Sequence, residues 1–301
     1  MGELLALASA FCFGAANVTI MRGAGAQGED NGAFLSILMT CLSGAVLWFW
    51  HVAQDGWPVL QTESLLWFAG AGILTIFIGR VFLFASVQHL GAVRASAIKR
   101  LNPVFSVLIG VLLLNDPFDL GMGLGVLLIG ASFGVLIWQS LRSPDSQVSA
   151  GGGTMAKLGR LGFFYGPVSA LAYACGYVAR KQGLNITPDA SLGTMVGAGV
   201  GALVFLLMAL RVPSYQLAVR ATFTRFNPWL YAAGILSSAG QLLYFAALSQ
   251  SSISRVALIG SMEAFVTIFL SVLVARSFRQ LNGPVILAAA LGVLGTMFIV
   301  W

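Results

Sequence analysis

Long apolar stretches alternate with short polar segments along the whole chain. A helix that crosses a lipid bilayer needs ~20 mostly apolar residues. Ten stretches reach that length, and they cover residues 3–22, 32–51, 66–88, 92–114, 119–140, 161–182, 190–210, 228–249, 252–275 and 281–301. The pattern therefore predicts an all-α polytopic membrane protein with ten transmembrane helices and the lipid bilayer as its first partner.

Composition excludes the soluble classes of protein. Of the 301 residues, 16 are Lys or Arg and 10 are Asp or Glu, so charged residues make up 9% of the chain, against ~25% in an ordinary soluble domain. A soluble fold of this length could not build its polar surface from so few residues. The net charge of +6 does not indicate nucleic acid, because the basic residues are scattered and form no stripe or tail.

The longest polar break between predicted spans, residues 141–160, divides the chain almost in half. Its Ser, Pro and three consecutive Gly predict a flexible linker between two five-helix repeats, 1–140 and 161–301. Five is an odd number, so the second repeat enters the membrane from the side opposite to the first. Inverted repeats of this kind are typical of secondary transporters, which bind their substrate near the midplane. We therefore expect a central cavity between the two repeats.

The two halves also match weakly in sequence. A shift of 161 positions pairs Phe84 with Phe245 and Arg94 with Arg255 without a gap. Shifts of 160 and 162 positions align further short stretches in the same order. The internal repeat is therefore visible in the residues as well as in the number of spans.

One stretch resembles a known family signature. The run Leu101-Asn102-Pro103, followed by an apolar segment that ends in Asp116, is similar to the signature of the drug/metabolite transporter superfamily, EamA branch. Asn102 stands where that signature has Glu, while Glu263 keeps the acid in the second half. The resemblance implies a ten-helix transporter of metabolites, often of amino acids. Within the family the chain looks most like the YddG-type exporters of aromatic amino acids.

Ionisable side chains inside predicted spans are the first candidates for a site, because charges at membrane depth are costly and usually functional. Arg80, Lys99, Arg100 and Glu263 lie there. We expect Arg80 and one of the adjacent pair, represented by Lys99, to contact a carboxylate or phosphate. The alternative role for these cations is orientation and anchoring at the lipid headgroups.

Glu263 lies in a polar stripe with Thr267 and Ser271, which share one helix face at a spacing of four. Asn102 and Ser106 form the matching stripe in the first repeat. Glu263 is a candidate for proton titration or for binding a substrate ammonium group. The alternative is a structural hydrogen bond that holds two helices together.

Aromatic and amide side chains extend the candidate substrate site. Tyr173 and Tyr177 lie one turn apart, and Asn17 is the repeat counterpart of Tyr177. Gln241 and Tyr244 lie in the eighth predicted span. Such groups stack on and hydrogen-bond a ligand that has an aromatic or apolar side chain. The alternative is helix packing.

Glycine and proline positions predict mobile or closely packed helices. Gly193, Gly197 and Gly201 form a double GxxxG motif, which allows close packing or a sliding contact. Pro103 has no N–H to donate and predicts a kink that suits a gating helix.

These features predict a secondary active transporter that exports small metabolites, in first place aromatic or other apolar amino acids, by alternating access. The alternative substrates are organic anions, nucleotide-linked metabolites or drugs. The sequence predicts no catalytic site, no cofactor, no metal site and no nucleic-acid partner, because His51 and His89 form no metal-ligand spacing. A single chain suffices for the predicted unit, and a dimer through the fifth span and proton coupling remain open.

Basic residues outside the middle of the spans predict the orientation. Ten lie on the side of the linker and three on the side of the termini. By the positive-inside rule the linker side faces the cytoplasm, in a bacterial inner membrane. The three residues assigned to the side of the termini are Arg180, Lys181 and Arg255.

Overall fold

The structure is a computed structural model that describes residues 1–24, 30–90, 101–114, 118–142, 154–275 and 283–300. Within those ranges the regular elements are all helices. In chain order they are α1 (Gly2–Gly23), α2 (Ala33–Asp55), α3 (Thr62–Ala71), α4 (Arg80–Leu90), α5 (Leu101–Leu114), α6 (Leu120–Arg142), α7 (Thr154–Ile186), α8 (Ala190–Ala209), α9 (Pro213–Thr224), α10 (Pro228–Gln250), α11 (Ile253–Gly260), α12 (Glu263–Ala275) and α13 (Gly283–Val300). The all-helical class is therefore confirmed for the described residues.

Six helical segments in the described ranges are long and apolar enough to cross a membrane. Three of them are α1, α2 and the continuous segment Thr62–His89, and the others are α8, α10 and the segment Ile253–Val274. The full count of ten spans stays a prediction. These helices identify the chain as an integral membrane protein, because apolar helices of this length are solvated by lipid and not by water.

The helices turn their apolar side chains outwards and their small polar ones inwards. On α2, Leu42 and Val46 are exposed, whereas Ser36, Thr40 and Gly44 are buried along one face. Lipid tails solvate the outer side chains, and close helix packing satisfies the inner ones. The interior is therefore where polar chemistry can be concentrated.

The two halves interlock. α1 packs against α10 and α12, which belong to the other half. Its repeat counterpart α7 packs in the same way against α3, α4 and α5 of the first half. The equivalent helices α2 and α8 pack against each other, as do α6 and α13. A cluster at the centre of this arrangement is built by both halves at once.

Two spans depart from regular α-helix, and each departure directly precedes a charged residue. A π-helical segment, Gly72–Gly79, joins α3 to α4 just before Arg80. The span predicted at 252–275 is interrupted at Ser261 and Met262, so that Glu263 begins α12. Helix irregularities of these kinds often occur at functional sites.

The double GxxxG of α8 packs against the π-helical span. A β-carbon at Gly201 would lie 2.8 Å from the Ile76 side chain, and one at Gly72 would overlap the Gly197 backbone. At Gly193 an added β-carbon would lie 2.8 Å from the ring of Phe245. Glycine is required because the helices approach this closely, and a sliding role stays a prediction.

Helix also occurs where the sequence predicts loop or linker. α9 lies between the seventh and eighth predicted spans, with Pro213 in its first turn and with Leu217 and Phe223 exposed. At 12 residues it is too short to span a bilayer. α6 continues to Arg142 and α7 begins at Thr154, both inside the predicted linker. The length of apolar stretches does not predict such helices, because it indicates membrane spans and not helix formation.

Candidate functional site

Buried polar and aromatic side chains from both halves meet in the interior, and we call this set the central cluster. Its members lie on α1, α4, α5, α7, α10 and α12, and each is at most 9% exposed. They are Asn17, Arg80, Asn102, Tyr173, Tyr177, Arg180, Gln241, Tyr244 and Glu263.

Arg80 is 2% exposed and is held mainly by α2. Its Nη1 donates to the Ser36 carbonyl oxygen at 2.9 Å, to Ser36 Oγ at 3.2 Å and to Thr40 Oγ1 at 2.6 Å. Its Nη2 donates to Gln241 Oε1 at 3.5 Å, and the Tyr173 hydroxyl is also within its reach. All of these partners are neutral, so the hydrogen bonds solvate the guanidinium without compensating its charge.

Arg180, which the count of basic residues assigns to the side of the termini, is a second buried cation. It is 1% exposed, and its Nη2 donates to Thr75 Oγ1 in the π-helical segment. The guanidinium carbon lies 4.5 Å from the centre of the Phe245 ring and 5.4 Å from that of Tyr177. α7 continues past Arg180 to Ile186, which takes this residue more than a turn away from the helix end.

Arg180 has fewer partners than a buried guanidinium can use. Its Nε has no hydrogen-bond partner. Among the described residues, no carboxylate forms an ion pair with it. The spacing to Tyr177, three residues on one helix, places both side chains on one face, and this was the sequence signal that could have identified Arg180.

The Gln241 amide lies between the two arginines. With its oxygen turned towards Arg180, it accepts from both Nη1, at 2.6 Å, and Nη2. In the opposite orientation the oxygen accepts from Arg80 at 3.5 Å. One amide oxygen therefore serves one of two buried cations at a time.

Three tyrosines form the aromatic part of the cluster. The rings of Tyr177 and Tyr244 are stacked, with centres 4.4 Å apart and an interplanar angle of 28°. Tyr173 lies next to Tyr177 with ring centres 5.8 Å apart. The stack joins α7 to α10, and offset aromatic pairs of this kind are favourable beyond the area that they bury.

Glu263 is tied to the first helix. Asn17 Nδ2 donates to Glu263 Oε1 at 2.7 Å, and it also lies 3.4 Å from Thr267 Oγ1. Thr267 Oγ1 in turn donates to the Glu263 carbonyl oxygen at 2.8 Å. Glu263 lies in the first turn of α12, where the helix dipole favours negative charge.

The first half contains the counterpart of this contact. Asn102 Nδ2 approaches the Tyr177 hydroxyl at 3.5 Å, and Ser106 Oγ donates to Asn102 Oδ1 at 2.9 Å. Asn102 and Glu263 are separated by the repeat shift of 161 positions, and Asn17 and Tyr177 by 160. Each polar stripe therefore contacts the residue that the repeat assigns to it.

All but one of the predicted substrate-site residues lie in the central cluster. Lys99 falls outside the described ranges, as does Arg100. Pro103 is the third residue of α5, and the kink predicted there stays a prediction. In the described ranges, no group of His, Cys, Asp or Glu side chains has the arrangement of a metal site.

Comparison with known proteins decides the family. The model of the EamA-like transporter family matches residues 1–138 and 160–301. The chain belongs to this family. One solved crystal structure, described only as that of a protein, is 19% identical to the EamA-like chain and superposes with a TM-score of 0.67. The match covers 99% of this chain and 98% of the chain in that structure. That likeness shows the fold alone.

In all, 29 chains of solved structures match this chain. No curated protein is similar enough to count as a relative. Members of the EamA-like family are membrane transporters of small molecules, and membership assigns the chain to that broad class.

Proposed function

We propose that this EamA-like chain is a secondary active transporter that exports small metabolites by alternating access, in first place amino acids with aromatic or apolar side chains. The observation that carries the proposal is the central cluster. It combines buried cations, a buried acid and stacked tyrosines, and both halves contribute to it. Buried ionisable groups inside a membrane protein mark a substrate or ion pathway.

The chemistry of the cluster suits a zwitterion with an apolar side chain. The Arg180 guanidinium lies against the Tyr177 ring of the stack, and Tyr244 lies within electrostatic range of Glu263. An amino acid offers a carboxylate to the cation, an ammonium group to the acid and a side chain to the rings. Apolar walls with a few placed polar groups are the usual form of a small-molecule site.

The two repeat-related contacts suit alternating access. The Asn17–Glu263 contact ties α1 to α12, and the Asn102–Tyr177 contact ties α7 to α5. In inverted repeats, equivalent contacts act on opposite sides of the binding site. We therefore assign one gate to each contact, so that breaking one opens the site to one side of the membrane.

A second candidate function is transport of organic anions, nucleotide-linked metabolites or drugs. The buried arginine pair favours the anionic members of this class, because Arg80 and Arg180 bring two positive charges against Glu263, the one buried acid among the described residues. A substrate without an ammonium group would still use the arginines and the rings.

A substrate panel in proteoliposomes tests the proposal. Purified protein is challenged with labelled amino acids, aromatic carboxylates, nucleosides and cationic drugs at two pH values. We expect saturable uptake of aromatic or apolar amino acids. If aromatic carboxylates are taken up and amino acids are not, the second candidate function replaces amino-acid export. Uptake of none of these solutes would contradict both candidate functions.

We also propose a bacterial inner-membrane location with the linker side in the cytoplasm. When the buried Arg180 is left out, only the basic residues Lys181 and Arg255 remain on the side of the termini. The excess of basic residues on the linker side is then larger. A C-terminal reporter that is active only in the cytoplasm tests this orientation. The proposal predicts no signal, and a strong signal would reverse it.

A further inference from the structure

The two buried arginines share too few acceptors. Arg80 and Arg180 are at most 2% exposed, and in the described ranges neither forms an ion pair. Both approach the one Gln241 amide, whose oxygen can face only one of them. Uncompensated charges in a low-dielectric interior are strongly unfavourable, so such groups are paired with an anion in the working protein.

The spare donors point to the kind of anion. Arg180 keeps an unpartnered Nε, and its Nη1 depends on the Gln241 oxygen alone. Arg80 directs Nη2 at the same amide. A group with two oxygens would give each guanidinium an acceptor, and a planar guanidinium matches a carboxylate in two-point contact.

The surroundings favour a carboxylate next to an apolar or aromatic body. The rings of Tyr177 and Phe245 face the Arg180 guanidinium. The Tyr177 ring continues into the stack with Tyr244. A ligand whose carboxylate lies at the arginines would therefore place its neighbouring atoms against aromatic surfaces.

We propose that Arg80, Gln241 and Arg180 form a carboxylate subsite, in which the substrate carboxylate replaces the Gln241 oxygen and bridges the two guanidinium groups. The subsite deepens the proposed transport function and rests on it for its occupant. It assigns a binding role to Arg180 and makes a carboxylate, with or without an ammonium group, a required part of the substrate.

The first test needs no ligand. Gln241→Glu puts a carboxylate between the arginines and imitates the bound state. In the full-length purified protein we expect Tm to rise by about 2–4 °C or more. The rise should disappear in the double variant Gln241→Glu/Arg180→Gln. A Gln241→Glu protein that is less stable than wild type, or equally stabilised without Arg180, would overturn the subsite.

The second test uses four probes of similar shape: the carboxylic acids L-phenylalanine and phenylacetate, phenylalanine carboxamide, and phenyl phosphate. Binding to wild-type protein is measured by the ligand-induced shift in Tm and by displacement of labelled phenylalanine. We expect the acids to bind and the amide to bind at least about tenfold more weakly. Arg180→Gln should weaken the acids to a similar extent, Arg180→Lys less, and Gln241→Glu should abolish their binding. Arg220→Gln, on the exposed face of α9, is the matched control and should change nothing.

The outcomes separate the subsite from the transport proposal. Binding of phenylacetate without phenylalanine would keep the subsite and refute amino-acid export. A Gln241→Glu rise that depends on Arg180, with no probe bound, would likewise keep the subsite while contradicting the proposed substrates. Equal binding of acid and amide, or tighter binding of phenyl phosphate than of either acid, would refute a carboxylate subsite.

Discussion

Asn17 and Glu263 belong to opposite halves of the chain and are joined by a 2.7 Å hydrogen bond. Their repeat counterparts, Tyr177 and Asn102, approach each other at 3.5 Å. Equivalent positions of the two repeats thus meet twice, at a short distance in one case and at a long distance in the other. In an inverted-repeat transporter this asymmetry is expected of a state that is closed more firmly on one side than on the other.

Replacing Glu263 with Gln should remove the pH dependence of transport. Gln still accepts the hydrogen bond from Asn17 but carries no titratable proton, so packing is kept while proton exchange is lost. Initial transport rates in proteoliposomes between pH 5.5 and pH 8 check this. A pH profile identical to that of the wild type would assign Glu263 to a structural role.

The two repeat-related contacts should differ in strength. Asn17→Ala removes a hydrogen bond to a carboxylate and is expected to lower the free energy of unfolding by about 1.5–3 kcal/mol. The Asn102–Tyr177 contact is long and joins neutral groups, so we expect it to contribute less than about 1 kcal/mol. Asn102→Ala alone also loses the bond from Ser106, so this contribution is taken from the double-mutant cycle of Asn102→Ala and Tyr177→Phe. Tm values in one detergent give the comparison. Equal losses would contradict the asymmetry.

Close helix packing at Gly72 should be sensitive to a single methyl group. A β-carbon there overlaps the Gly197 backbone, so Gly72→Ala is expected to destabilise the protein by about 1–3 kcal/mol. Gly130→Ala is the matched control, because no described atom outside its own stretch of helix lies within 4 Å of the added carbon. Thermal unfolding of both variants decides the point, and a Gly72→Ala protein as stable as the control would refute the close contact.

The tyrosine stack should set the preference for aromatic substrates. Tyr244→Leu removes the stacking partner of Tyr177 and should reduce the ratio of phenylalanine to valine transport by about 2- to 10-fold. Tyr244→Phe keeps the ring and should keep the ratio. Competition between the two labelled amino acids measures it. An unchanged ratio in Tyr244→Leu would assign the stack to helix packing alone.

The sequence predicts the regular spans well and the interior contacts poorly. The predicted spans 3–22 and 32–51 agree closely with α1 and α2, because both are apolar runs bounded by polar or glycine-rich segments. The break in the helix at Ser261 and Met262, just before Glu263, cannot be seen in the hydropathy, because it lies within one predicted apolar span. Hydropathy reports transfer into lipid and contains no information on local helix geometry.

Arg180 shows why the site could be predicted only in part. Arg180 lies close to the end of the predicted span 161–182, which suggests a position near the membrane surface. Its burial depends on Thr75, the Phe245 ring and Gln241, which other parts of the chain bring to it, and on Tyr177 of its own helix. Arg80 and Glu263 were identified because each lies in the middle of an apolar run, where any charge is conspicuous.

The function that we propose for this EamA-like chain is the exchange of small carboxylate-bearing metabolites by alternating access through the central cluster. The most direct measurement is counterflow in proteoliposomes loaded with unlabelled L-phenylalanine and diluted into labelled L-phenylalanine. We predict transient accumulation of label above its equilibrium level, saturable and reduced at least about tenfold by Arg180→Gln. Label that only approaches equilibrium, at a rate linear in concentration and equal in both proteins, would contradict the account.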